Sequence, residues 1–331
     1  MEWTRRRLLA AGAGGLTVAG SARATQNVVL GYGWITGTNL LEQDLDPLVL
    51  EDLWPSRDHV ADLNGYDISI RDETVRVEAS DLVAETLDPH TDDPADAAEA
   101  DAEFGFEDGP LEELVTDLAA LGAEDVRFEY DSYPEFFKTL ADGSTRPYTV
   151  QSLRGRRSAD PAVVERFTDA DPTDPEAVVE GLVDGFREHT RYDYPRYVAG
   201  SVEDNVLFGA HDLRQYFESE TDIEAITSGE DSGLFCNELT RRSVEALQAI
   251  PAPEQRVPVV AGFVHNERHK HVYTIVASAV RDEKDELVIP VTFLDYTDST
   301  QHDDLMLRWL LGEGVDAYHD RKRATRIRWY R

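Results

Sequence analysis

The stretch Asp231–Ser243 reads DSGLFCNELTRRS and holds Cys236, the only cysteine in a chain of 331 residues. Apolar residues around and after it recur at helical spacing, which predicts a helix that has Cys236 in its first turn and ends near Ile250. The N-terminus of a helix carries partial positive charge and free N–H groups, and both favour a thiolate. Cys236 is therefore a candidate nucleophile, and the alternative is a buried cysteine that acts as a small apolar residue.

Two strands are predicted downstream, at 269–280 (HKHVYTIVASAV) and at 287–297 (LVIPVTFLDYT), joined by the polar turn RDEKDE. If Arg281 faces Asp285 across this turn, His271 lies directly opposite Asp295 on the same face of the sheet. Opposed side chains stand about 4.5–5.5 Å apart at Cβ, which suits an imidazole–carboxylate contact. Pro290 predicts a sheet edge or a bulge in the second strand.

Residues from about 176 to 297 resemble a transglutaminase-like domain, a relative of the papain-like cysteine proteases. The residues that carry the resemblance are Tyr192, Gly233, Cys236, Ile250-Pro251, His271-Val272-Tyr273 and Asp295. The family usually has its glycine two residues before the cysteine and reads His-Ala-Trp, whereas Gly233 lies three residues before Cys236 here. The resemblance implies an α+β fold in which a helix bearing Cys236 packs on an antiparallel sheet bearing His271 and Asp295.

The resemblance also implies a function, which is cysteine-dependent acyl transfer on a protein or peptide substrate. Cys236 attacks an acyl carbon, His271 moves the proton, and Asp295 holds the tautomer of the imidazole. We expect hydrolysis of peptide or carboxamide bonds, without a cofactor or a metal. Transglutaminase-type crosslinking and a catalytically inactive surface-binding scaffold remain open alternatives. The oxyanion donor that we expect is the backbone N–H of Cys236.

A zinc site is a further alternative, because HNERHKH brings together His265, His269 and His271. A zinc ion takes three or four ligands, and Cys236 could serve as the fourth.

The charge of the chain is strongly acidic, at −34. The first 24 residues carry a net +3, which leaves −37 for the rest. Self-repulsion of this size is screened at molar salt, so the composition resembles that of proteins from salt-loving organisms. Nucleic acid is an unsuitable partner, because its phosphates would be repelled.

The N-terminal stretch TRRRLLAAGAGGLTVAGSARA resembles a twin-arginine signal peptide at residues 1–24. Its apolar run, Leu8–Gly20, is shorter than a membrane-spanning helix, which needs about 20 residues. We therefore expect an exported protein, extracellular or at the cell surface, that is not stably inserted in a membrane after cleavage. An uncleaved N-terminal anchor is the alternative.

The predicted organisation after residue 24 has two domains. Residues 25–165 form an N-terminal domain of strands and one helix, with an acidic linker around 85–110, and residues 166–331 form the transglutaminase-like domain. The pattern predicts a hairpin at about 66–77 and helices at about 111–121 and 174–186. The basic end RKRATRIRWYR predicts a closing strand that pairs with the chain's own acidic residues or, alternatively, lines a groove for an acidic substrate.

Overall fold

The structure is a computed structural model that describes residues 39–55, 59–80, 82–192, 222–228, 233–267, 271–297, 315–318 and 322–329. The predicted signal peptide, His269 and most of the N-terminal side of the Cys236 loop lie outside these residues. Among the residues described, no helix has the length and apolar character needed to cross a membrane.

The described elements combine helices with mostly antiparallel strands, so the chain is a mixed α+β protein. The helices are α1 (Asp46–Leu50), α2 (Pro94–Phe104), α3 (Pro110–Gly122), α4 (Tyr133–Asp142), α5 (Pro147–Leu153), α6 (Pro161–Thr168), α7 (Pro175–His189), α8 (Ile223–Ser228) and α9 (Cys236–Leu247). The strands are β1 (Ala61–Leu63), β2 (Tyr66–Arg71), β3 (Thr74–Ala79), β4 (Leu82–Leu87), β5 (Val126–Tyr130), β6 (Ser144–Thr145), β7 (Arg191–Tyr192), β8 (Gly233–Leu234), β9 (Val260–Asn266), β10 (His271–Ala277), β11 (Val280–Arg281), β12 (Leu287–Leu294) and β13 (Arg326–Arg328).

The large sheet has the order β13-β9-β10-β12-β11-β6, and β5 pairs with β12 in parallel. One of its faces packs on the N-terminal elements through Tyr273, Ile275 and Phe293. The other face packs on helices α4, α6, α7, α8 and α9 through Val276 and Leu294. Alternation of side chains along each strand therefore divides the core into two layers, one on each face of the sheet.

The second sheet has the order β1-β2-β3-β4 and contains the predicted hairpin, with Ile68 opposite Val77. Two predicted helices also form where expected, at α3 and α7. Asp174 caps α7, since its side chain accepts the N–H of Ala177 at 3.3 Å, and Pro175 follows it.

The acidic stretch predicted as a linker around 85–110 is more ordered than expected. It contains the end of β4, all of α2 and the start of α3. Asp93 caps α2 by accepting the N–H of Ala95 at 2.9 Å, and Ala97 and Ala100 are buried against the core. The carboxylate of Asp101 accepts the N–H groups of Leu111 and Glu112, both at 3.0 Å, so it caps α3. The apolar face of α2 consists of small alanine side chains, which a pattern of larger apolar residues does not reveal.

The large sheet also crosses the boundary predicted between residues 165 and 166. Strands β5 and β6 come from the N-terminal side and pair with β12 and β11 from the C-terminal side. A buried ion network follows the same path. Asp117 of α3 accepts hydrogen bonds from Arg146 Nε at 2.8 Å and from Arg281 Nη2 at 2.6 Å. The described residues on the two sides of that boundary therefore share one sheet.

The register of β10 and β12 differs from the prediction by two residues. Thr274 pairs with Leu294 and Ala277 with Val291, and this register carries His271 opposite Thr297 instead of Asp295. A shift of two residues preserves the face, so His271 and Asp295 become diagonal neighbours. The turn is longer than assumed, since Arg281 pairs with Leu287.

Pro290 lies inside the sheet, because β12 pairs with β5 on one side and with β10 and β11 on the other. Its position coincides with an interruption between β10 and β11, where Ser278 donates its N–H to Pro290 O at 3.1 Å. Pro290 has no N–H to return. The ladder is interrupted at Pro290, but Ala277–Val291 and Val280–Val288 keep one register on the two sides, so Pro290 lies neither at an edge nor at a bulge.

Candidate active site

Cys236 lies in the first turn of helix α9, as predicted, and is its first residue; the helix ends slightly early, at Leu247. Phe235 is the N-cap, with an extended backbone, and its N–H donates to the carboxylate of Glu238 at 3.2 Å. Cys236 is thereby fixed as the first helical residue. Its side chain is only 2% exposed. The N–H groups of a first helical turn have no partner inside the helix, so the Cys236 N–H can serve an oxyanion.

The docking of α9 on the large sheet determines where Cys236 lies. Ser243 Oγ and Thr274 Oγ1 are hydrogen-bonded at 2.5 Å, and Gln248 Oε1 accepts the N–H of Ala261 at 3.2 Å. Ala261 pairs with Val276, so α9 and β10 run in the same direction. Cys236 lies two helical turns before Ser243, about 10.5 Å along the axis.

His271 lies at a similar distance from the contact between Ser243 and Thr274, measured along β10. It is three residues before Thr274 on β10, about 10 Å along the strand. Cys236 and His271 are therefore at the same end of the sheet, although α9 packs on the face of Val276 and His271 shares the face of Tyr273. Within the described part of the chain, the Cys236 thiol makes no hydrogen bond to the His271 ring.

The imidazole of His271 contacts the carboxylate of Asp295, with Nε2 at 2.7 Å from Oδ2. Asp295 is 1% exposed. Its Oδ1 accepts the N–H of Thr297 at 3.0 Å, and its own N–H donates to Val315 O at 2.8 Å. With Nε2–H donating to Asp295, the neutral ring has its lone pair on Nδ1. That nitrogen is the one available to take a proton.

A residue that the sequence analysis did not select completes this cluster. The Lys322 ammonium forms an ion pair with Asp295 Oδ2 and lies 3.5 Å from His271 Nε2. It also lies 5.9 Å from the centre of the Tyr273 ring. Burial lowers the pKa of Lys322 to about 7, while a thiolate at Cys236 acts to raise it. The thiol and the ammonium are thus close enough to interact electrostatically.

The closing strand β13 brings Lys322 to this end of the sheet. It pairs with β9, with Arg326 opposite His265, and Thr325 donates its N–H to His265 O at 2.9 Å. Arg326 and Arg328 pair with Glu267 and Asp52, at 3.2 and 3.7 Å. Arg326 and Arg328 of the basic end thus engage the chain's own acids, whereas Lys322 is buried and contacts Asp295.

Strands β7 and β8 form a short parallel pair beside the start of α9, and they contain Tyr192 and Gly233 of the transglutaminase-like pattern. Tyr192 pairs with Leu234, two residues before Cys236, and Arg191 pairs with Gly233. The segment that ends in the motif tyrosine therefore flanks the backbone that leads into α9.

The three histidines of the zinc alternative do not share one surface. His271 stacks near Tyr273, which belongs to the core layer on one face of the sheet. His265 lies near Phe263, which belongs to the layer on the other face. Burial lowers the pKa of His265, with the Arg326 charge adding to the effect. His269 lies outside the described residues, and the two described histidines, His265 and His271, lie on opposite faces of the sheet.

A different cluster in the described residues contains His59, Asp62 and Asp67. His59 Nδ1 lies 2.6 Å from Asp67, and Nε2 lies 3.8 Å from Asp62. His59 and Asp62 are exposed, and acidic groups of this kind are common without an ion, so the cluster does not by itself indicate a metal site.

Comparisons with protein-family models, with curated proteins and with solved structures found no match for this chain.

Proposed function

We propose that this protein is a cysteine-dependent acyl-transfer enzyme that hydrolyses peptide or carboxamide bonds, with a transglutaminase-like, papain-like core. The observation that carries the proposal is the 2.7 Å contact of His271 with Asp295 at the end of the sheet where α9 presents Cys236. A nucleophile, a base and a group that orients the base are the three components of such a site.

The reaction follows from these positions. The Cys236 thiol loses its proton to Nδ1 of His271, and the sulfur attacks the acyl carbon. The C–N bond then breaks, and the leaving amine takes the proton back from His271. Water, deprotonated by the same nitrogen, attacks the thioester and releases the acid and the free thiol. Asp295 holds Nε2–H throughout and fixes the tautomer.

Crosslinking would use the same thioester with an amine in place of water. We favour hydrolysis, in which the substrate is a peptide or a carboxamide and the protein acts after export. Export by the twin-arginine route stays a prediction based on the first 24 residues.

An inactive scaffold is the second candidate, and one observation favours it. The Cys236 side chain is 2% exposed and makes no hydrogen bond to His271 among the described residues. Access of a substrate to the thiol would then require the surrounding segments to move.

Alkylation of the native protein in molar salt distinguishes these functions. We expect iodoacetamide to label wild-type Cys236 well below about pH 8.5, where an ordinary thiol ionises. His271→Ala should shift labelling to higher pH. His265→Ala is the matched control, since His265 makes no hydrogen bond or ion pair to Asp295 among the described residues and pairs along β9 with Arg326, so the profile should be unchanged. Labelling that requires denaturant would favour the scaffold, and labelling that requires a chelator would favour zinc.

A further inference from the structure

We infer that the tautomer of His271 depends on an ionised Asp295, and that the positive charge beside this buried carboxylate, on Lys322, is what keeps it ionised. Lys322 is then a positioning residue that acts on the ring through Asp295, and Nδ1 is left able to take a proton. The inference rests on the proposed function, which uses Nδ1 of His271 as the base, and extends it to a residue outside the family pattern.

The first observation concerns the donors that surround Asp295. Its Oδ2 lies 2.7 Å from His271 Nε2 and also forms an ion pair with the Lys322 ammonium. Its Oδ1 accepts the N–H of Thr297 at 3.0 Å. Within the described ranges, Lys322 is the one lysine or arginine in contact with either oxygen. The other two donors carry no charge when the ring is neutral.

The second observation is the burial of this ion pair. The side chain of Asp295 is 1% exposed and that of Lys322 is 6% exposed, so water solvates neither group. Burial disfavours an ionised carboxylate, and an opposite charge in contact favours it. Without the ammonium, a buried carboxyl relieves the loss of hydration by binding a proton.

The ionisation of Asp295 decides which ring nitrogen carries the hydrogen. An ionised carboxylate only accepts, so His271 donates from Nε2–H and has its lone pair on Nδ1. A protonated Asp295 would instead donate its O–H to Nε2, and the ring hydrogen would lie on Nδ1. In that exchange the carboxyl gains one proton from solvent, and the neutral ring keeps one hydrogen, on its other nitrogen.

The second arrangement is incompatible with the proposed reaction. A ring with Nδ1–H cannot accept the proton of the Cys236 thiol at that nitrogen, and its Nε2 is already bonded to the carboxyl. Removal of the ammonium would therefore disable the base while Cys236, His271 and Asp295 all remain in place.

Packing alone does not require a lysine at this position. A buried ion pair is often no more stable than apolar side chains of similar volume. The ammonium lies 5.9 Å from the centre of the Tyr273 ring, so an apolar side chain there would meet an aromatic neighbour. Lys322→Met retains most of the volume and removes the charge, which makes it a suitable test variant.

The test is nitrogen NMR of the full chain with labelled histidines, in molar KCl, for wild type and Lys322→Met. The chemical shift of each ring nitrogen shows whether it carries hydrogen, and His271→Asn identifies the signals. We expect Nε2–H in wild type and mainly Nδ1–H in Lys322→Met, a change of at least about tenfold in the tautomer ratio. Spectra from about pH 6 to about pH 8 span the pKa of Lys322, which burial lowers to about 7.

Two further variants separate charge from other effects. Lys322→Arg retains the positive charge, so we expect it to keep Nε2–H. Arg326→Met is the matched control, because it removes a cation that pairs with Glu267 at 3.2 Å, and it should also keep Nε2–H. Reversal of the tautomer in Arg326→Met as well would assign the effect to net charge and overturn the inference.

A third variant covers the case in which circular dichroism shows that Lys322→Met does not fold. Lys322→Gln offers Asp295 a neutral amide donor without a positive charge, so we expect the same change of tautomer. An Nε2–H ring in folded Lys322→Gln would refute the role of the charge.

The outcomes distinguish this inference from the proposed function. Retention of Nε2–H in folded Lys322→Met refutes the inference and leaves the enzyme intact. An Nδ1–H ring in the wild type overturns both the inference and the assignment of Nδ1 as the base. If the tautomer changes as expected but native Cys236 neither alkylates nor acylates, the proposed function fails and the effect of Lys322 on the pair of His271 and Asp295 stands.

Discussion

Buried carboxylates in this protein are held by different sets of donors. Asp117, with no exposed surface, is bound by Arg146, Arg281 and Thr149. Asp295 has a lysine, a histidine and a backbone N–H. Glu113 has fewer donors, with the N–H of Thr149 at 2.8 Å. Burial raises the pKa of Glu113 to about 7, and Asp117 nearby adds to the effect.

Glu113 makes stability depend on pH in a defined direction. The folded state holds its proton more tightly than the unfolded chain, so the free energy of unfolding falls as pH rises from about 4.5 to about 7. Glu113→Gln mimics the protonated form. We expect it to match wild type near pH 4 and to exceed it by roughly 2–3 kcal/mol near pH 8. Urea unfolding at both pH values measures this.

The control for Glu113 is Glu112→Gln, at an exposed neighbouring position on the same helix. It removes the same charge without relieving burial, and should show no such difference between the two pH values. An equal gain in both variants would assign the effect to net charge.

Helix α7 packs against α6 so closely that two glycines are required at the contact. A Cβ at Gly181 would lie 2.3 Å from Thr168 O, and one at Gly185 would lie 2.6 Å from Phe167 O. These backbone atoms belong to the end of α6 and cannot rotate away as a side chain would. The apolar face of α7 is visible in its sequence, but this close approach is not.

Gly181→Ala tests the contact. In a helix interior this substitution ordinarily gains up to about 1 kcal/mol. Here we expect a loss of about 1–3 kcal/mol, because the helices must separate. Denaturant unfolding should show a lower midpoint, while Glu180→Ala, at an exposed position on the same helix, should change little. A gain in stability from Gly181→Ala would contradict the packing described.

The sequence was most informative where a pattern is local. The start of α7 follows from the cap Asp174 and Pro175, and the start of α9 follows from apolar spacing. The register of β10 on β12 was wrong by two residues, because turn length cannot be read from composition and a shift of two leaves the face unchanged. Lys322 was missed as a site residue because its burial depends on β13 pairing with β9, a contact between distant parts of the chain.

The molecule as a whole combines a few buried ion pairs with a large excess of exposed acid. Beyond residue 24 the chain carries a net charge of −37. Repulsion among exposed charges reaches about 10 Å at 0.1 M salt and about 3 Å at 1 M, whereas the pairs around Asp117 and Asp295 are in contact and are screened much less. Salt should therefore weaken the repulsion more than the attraction.

We accordingly expect the melting temperature to rise steadily between about 0.1 and 2 M KCl, with loss of helical circular dichroism at the low end. Repeating the titration at about pH 4.5, where many carboxylates are partly protonated, should reduce the salt effect. A protein that is fully stable at low ionic strength would contradict this.

The central claim, that Cys236 is a nucleophile assisted by His271 and Asp295, is tested most directly by trapping its acyl intermediate. Native protein in molar KCl is treated with p-nitrophenyl acetate at neutral pH, quenched in acid and mapped by mass spectrometry. We predict a burst of nitrophenolate and an acetyl thioester on Cys236, absent in Cys236→Ala and formed at least about tenfold more slowly in His271→Ala. A folded wild-type protein that releases nitrophenolate without a burst and carries no acetyl group on Cys236 would contradict the claim.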